Sequence, residues 1–123
     1  MKSEVLSALE SVFFYDQDSR YIYRNEEMIA IEPFSMVNFR TRETNGDGPT
    51  AYIVAVEYQK IGQRLASCAL KYFLENQFSR SVIRIQKEIL ELAADAMRQA
   101  CMALLYAEQM GEKKELAQDE VQK

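Results

Sequence analysis

Hydrophobic and polar positions fall into two regimes along the chain, divided near Glu57 to Lys60. Before that boundary Tyr, Phe, Ile, Val and Thr occur in short runs separated by polar turns, a pattern that predicts strands. After it the chain runs for about 50 residues without Pro and with a single internal Gly, which predicts helices. The opening segment from Ser3 to Phe14 fits a short helix capped by Ser3, with Val5, Leu9 and Val12 on one face, or runs into a strand at 12–15. Arg20–Arg24 and Met28–Glu32 read as strands, separated by the polar turns Asp16-Gln-Asp-Ser and Asn25-Glu-Glu. Thr44-Asn-Gly-Asp-Gly-Pro49 carries residues that tolerate positive φ and reads as a hairpin loop between strands Phe34–Glu43 and Thr50–Tyr58. The expected fold class is therefore α+β: an N-terminal antiparallel meander of four or five strands followed by two C-terminal α-helices.

The first of these helices is predicted over 59–77 and the second over about 80–111, with Ser79 or Ser81 as N-cap and Gly111 just past the end. Residues 1–111 read as one domain and 112–123 as a charged tail without a helical stripe. On the long helix the apolar residues spread over about 200°, twice the stripe of a helix with one buried face. They divide into two seams. Ile83, Leu90, Met97 and Leu104 recur at seven-residue spacing, supplemented by Ala94 and Cys101, as in a coiled coil. The other seam starts with Val82, Ile85 and Ile89 and continues as Ala96, Ala100, Ala103 and Ala107, small enough for a second backbone to approach closely. Met102 and Tyr106 add apolar surface on the remaining side. The shorter helix carries Ile61, Leu65, Cys68, Ala69, Tyr72 and Phe73 on its main face, extended by Leu70 and Leu74. A small sheet cannot cover this much helix surface, so the pattern predicts a homo-oligomer. Its interface is drawn from Leu90, Ala96, Met97, Ala100, Ala103, Leu104 and Ala107.

Composition narrows the chemistry. The 123 residues include 15 Lys+Arg against 19 Asp+Glu, two Cys and no His. Without histidine there is no imidazole base, no histidine-based zinc site and no His triad. Cys68 and Cys101 are spaced for neither a redox motif nor a zinc site and read as buried free thiols. Asp16/Asp18 and Glu26/Glu27 sit in polar turns, Asn45-Gly-Asp-Gly lacks the further oxygens of a calcium loop, and no phosphate-binding glycine motif occurs. The expectation is a protein that is not an enzyme and holds no cofactor or metal. No run approaches the roughly 18 apolar residues of a membrane span and Glu4 interrupts any leader, which predicts a cytoplasmic protein.

Charge is unevenly distributed, at −5 over residues 1–59, +3 over 60–107 and −2 over 108–123. The acidic whole argues against nucleic acid as a partner, while the basic middle offers a place for an anion. Arg20, Tyr21, Tyr23, Arg24, Arg40, Arg42, Arg80 and Arg84 form the candidate binding set, because guanidinium groups grip phosphate bidentately and aromatic faces stack on bases. In size, lack of histidine and order of elements the chain resembles phage-encoded sponges that sequester nucleotide signals. That resemblance implies capture of an anionic nucleotide-like molecule at subunit junctions without conversion. The alternative is a protein–protein adaptor or inhibitor, of the anti-CRISPR or secretion-chaperone kind, working through its acidic or sheet surface.

Overall fold

The computed structural model describes residues 4–13, 21–24, 29–35 and 48–122. Helix α1 spans Glu4–Phe13, strands β1 and β2 span Ile22–Arg24 and Ile29–Ile31, and helices α2 and α3 span Gly48–Glu75 and Arg80–Gln122. The strands pair antiparallel, Ile22 opposite Ile31 and Arg24 opposite Ile29. Among the described residues this two-stranded ribbon is the whole sheet, and the expected four- or five-stranded meander is replaced by a largely helical protein. The proposed strand Phe34–Glu43 lies mostly outside the described residues. Of the two readings for the N-terminus, the short helix is the one formed.

The largest departure is at Thr50–Tyr58, predicted as a strand and found as the first turns of α2. Its β-branched and aromatic residues favour extended backbone locally, yet Ala51, Val54, Ala55, Tyr58, Ile61 and Leu65 are all buried. Those positions follow the helical 3.6-residue period, and packing along a partner helix outweighs a strand propensity worth at most about 1 kcal/mol. Pro49 lies in the first turn, where its missing N–H has no intrahelical partner to lose. The predicted stop at Gly111 is also overridden, since α3 continues through it to Gln122.

Helices α2 and α3 form an antiparallel hairpin joined by 76–79. Asn76 Nδ2 donates to Tyr72 O at 2.7 Å and closes the end of α2. Ser79 Oγ accepts from Val82 N at 3.2 Å, so Ser79 is the N-cap of α3. Midway along the hairpin a Cβ on Gly62 would lie 2.7 Å from Met97 Cε, so Met97 lies across α2 where that helix presents no side chain. Toward the tip Val82, Ile85 and Ile89 of α3 and Leu65 and Ala69 of α2 are buried. Farther from it Ala96, Ala100 and Ala103 leave room for Ile61, Tyr58 and Val54, all buried. Large residues of α2 thus sit over small ones of α3 in the half of the hairpin away from the tip.

The N-terminal layer covers one side of this hairpin. Val5, Leu6 and Leu9 of α1 and Ile22, Ile29 and Ile31 of the ribbon join the same core. Tyr58 Oη donates to Glu32 O at 2.6 Å, Phe34 N donates to Gln99 Oε1 at 2.8 Å, and the Phe34 ring meets Tyr106 edge-on at 5.9 Å. Tyr106, expected on a polar side of α3, is buried by this contact.

The two thiols differ. Cys101 is exposed, contrary to the expectation of two buried thiols, whereas Cys68 is buried with its Sγ 3.7 Å from Ala8 O. Burial raises the Cys68 pKa above the usual thiol value, with Lys71 partly opposing and Glu75 adding to the rise. In native protein, iodoacetamide at pH 8 should label Cys68 only on unfolding, as read by intact mass. Because the unfolded thiol ionises before the folded one, Cys68 contributes stability below its unfolded pKa. That contribution is lost as pH rises through the folded value. Tm should therefore fall on the alkaline side less steeply in Cys68→Ala than in the parent.

Candidate protein interface

The residues chosen for anion binding are not assembled by the described structure. Arg20, Arg40 and Arg42 lie outside the described residues, and Arg24 is described only through its backbone pairing in β1. Tyr21 is a core residue, 4% exposed, with its ring centroid 4.8 Å from that of Tyr58. It precedes β1 in a helical turn and so escapes the alternation that would have put it beside Tyr23. Tyr23 is exposed, and its hydroxyl donates to Glu32 Oε1 at 2.9 Å. Arg80 begins α3 and is exposed, while Arg84 is committed to Glu4 at 2.7 Å and to Glu88 at 3.7 Å. Tyr21 and Tyr23 therefore belong to the N-terminal layer at mid-hairpin, and Arg80 and Arg84 to the hairpin tip.

An open cleft of about 360 Å³ is lined by Gln63, Arg64, Ser67, Cys68 and Lys71. Burial raises the pKa of its thiol and so lowers the share present as thiolate. Lys71 leans toward Glu75 at 3.9 Å. Among the described residues no group of acidic or cysteine side chains is arranged to hold a metal, and no helix is long and apolar enough to cross a membrane.

The interface residues separate cleanly into the two seams. Ala96, Ala100 and Ala103 are buried inside the chain against α2, and Ala107 is half-buried. The alanine seam is thus an intramolecular contact, a correction to its assignment as subunit interface. The heptad seam is the open one: Ile83 is 44% exposed, Leu90 45% and Met97 36%, with Leu104 half-buried. Ala94 and Cys101 are exposed between them, and Leu105 lies at the edge. From Ile83 to Leu104 the arc they occupy carries no charged residue apart from Lys87 at its border. On α2, Leu70 and Phe73 are exposed on the same side of the hairpin, the side carrying Gly62 and Met97. This face points away from the N-terminal layer, whose contacts reach Tyr58 and Cys68 on α2 and Arg84, Gln99 and Tyr106 on α3.

Two features were not visible in the sequence. Glu32 is 3% exposed, although it reads as the polar end of a strand, because Tyr23 and Tyr58 reach it from 9 and 26 residues away. The seat of Met97 over Gly62 depends on the hairpin register, which single-helix periodicity does not contain. Compared with protein-family models, curated proteins and solved structures, the chain matches none of them.

Proposed function

We propose that the protein is a non-enzymatic interaction module that assembles with itself through the open face of the α2–α3 hairpin. The observation that carries this reading is the row Ile83, Leu90 and Met97, exposed at seven-residue spacing beside Leu70 and Phe73. Exposed apolar residues scattered singly are ordinary, but a continuous row on rigid helices marks a contact surface. Light scattering across a concentration series should give a mass of at least twice 14.3 kDa. Leu90→Glu combined with Met97→Glu should return it to the single-chain mass with a cooperative thermal transition retained, since both sites are exposed in the single chain. A wild-type mass of one chain at every concentration overturns the reading.

A second reading, capture of an anionic nucleotide-like ligand, is favoured by the cleft beside Arg64 and Lys71, where Gln63 and Ser67 add hydrogen-bonding groups. On this reading a nucleotide triphosphate raises Tm in the wild type, and Lys71→Ala lowers that rise. An unchanged Tm at millimolar nucleotide removes it. The element order behind the likeness to nucleotide sponges has lapsed with the missing meander.

A further inference from the structure

Resting on the self-assembly reading, we infer that the open face of α3 pairs with the same face of a second copy, the two α3 helices running antiparallel. The heptad supplies the argument. Taking Ile83, Leu90, Met97 and Leu104 as one set of seam positions, the interleaved set is Lys87, Ala94, Cys101 and Glu108. The second set is exposed throughout, and Leu104 alone of the eight is half-buried. One set is large and apolar; the other is small in the middle and charged at the ends, with opposite signs.

A parallel pair stacks each position on its own copy. Leu90 then meets Leu90 and Met97 meets Met97, while Ala94 and Cys101 face their own small counterparts, so crowded and underfilled layers alternate. It also sets Lys87 against Lys87 and Glu108 against Glu108. An antiparallel pair instead places each member of one set across from a member of the other. Leu90 faces Cys101 of the second copy and Met97 faces Ala94, a large side chain over a small one in each central layer. Ile83 faces the stem of Glu108, Leu104 faces the stem of Lys87, and the two end charges come within one helical turn of each other with opposite sign. The alanine half of the protein's own α2–α3 contact fits large residues to small ones in this way.

Area agrees with a dimer of modest size. The exposed parts of Leu70, Phe73, Ile83, Leu90, Met97 and Leu105 together amount to on the order of 500 Å². Charged stems at the rim bring that toward the roughly 800 Å² per partner of a standard interface. The pairing joins two hairpins into a four-helix arrangement with their tips at opposite ends.

The test is Leu90→Cys with native Cys101, oxidised with diamide at neutral pH, followed by light scattering under native conditions and peptide mapping of the linked species. Within one helix these positions are roughly 16 Å apart, far beyond the roughly 4.4–6.8 Å between the Cα atoms of a disulfide. A bond between 90 and 101 therefore reports two chains. The antiparallel pair predicts a covalent dimer linked 90 to 101, and a wild type that does not cross-link through Cys101. A dimer linked 101 to 101, in wild type or variant, or 90 to 90 in the variant, means parallel pairing and overturns the inference while leaving self-assembly standing. A dimer with none of these links places the contact elsewhere and also overturns it. A wild-type mass of one chain at all concentrations overturns both.

Discussion

Ala100→Glu is expected to unfold the protein. Ala100 is 2% exposed on the face of α3 turned to α2, in a stretch where alanines make room for Ile61, Tyr58 and Val54. A glutamate there has no volume to occupy and, among the described residues, no buried cation to meet. An uncompensated buried charge costs about 3–5 kcal/mol, a large part of the roughly 5–15 kcal/mol that holds a domain together. Thermal denaturation followed by circular dichroism should show a fall in Tm of tens of degrees or no cooperative transition at all. Met97→Glu, one helical turn away on the open face, is the control: its charge reaches water once the chains separate, so the assembled mass should fall while the single chain keeps a cooperative transition. The pair separates the two seams experimentally. If Ala100→Glu kept the parent Tm and only reduced the assembled mass, the alanine seam would lie between subunits after all.

What the sequence disclosed and what it withheld follow from the range over which each feature is determined. Ser79 as the cap of α3 and the ribbon strands at Ile22–Arg24 and Ile29–Ile31 depend on neighbours within a few residues, and they were legible. Thr50–Tyr58 was not, because alternation over nine residues is also satisfied by part of a helical stripe. The choice is made by Ile61, Leu65 and the α3 surface they pack on. The two seams of α3 could be drawn on a wheel, but a wheel gives the width of an apolar arc and not the identity of its neighbour. Small residues admit any closely approaching backbone, and the nearest available one proved to be α2 of the same chain.

The candidate site was less legible than the fold for the same reason. Pairing Tyr21 with Tyr23 assumed an unbroken strand, whereas Tyr21 sits in a helical turn before β1 and becomes core. Arg84 pairs with Glu88, and Lys87 with Glu91 at 4.0 Å, both at the i,i+4 spacing that helical periodicity alone brings together. The contact between Arg84 and Glu4 spans 80 residues and had no local signature. The open apolar face was half visible, since its heptad spacing is a property of α3 alone. That it faces away from the N-terminal layer is a property of the tertiary arrangement.

Tyr58→Ala is the second substitution expected to act strongly, and it tests what holds the N-terminal layer to the hairpin. A two-stranded ribbon is marginal in water and needs a surface to lie on. Tyr58 provides that surface twice, through its ring against Tyr21 and through its hydroxyl to Glu32 O, and the same Glu32 closes the layer by donating its N–H to Tyr21 O at 2.8 Å. Removing a buried aromatic ring costs about 3–5 kcal/mol. Tyr58→Phe removes only the hydroxyl and leaves the Glu32 carbonyl without that donor, a cost of about 1–3 kcal/mol. The expected result is graded: Tyr58→Phe lowers Tm by several degrees, and Tyr58→Ala lowers it much further. In hydrogen exchange the Glu32 amide should lose protection in both variants, more in Tyr58→Ala, before the amides of 85–100 in α3 do. Simultaneous loss of protection in both regions would mean that ribbon and hairpin open as one unit. In that case Tyr58 would be a core residue of the whole fold and not the fastening of a separately released layer.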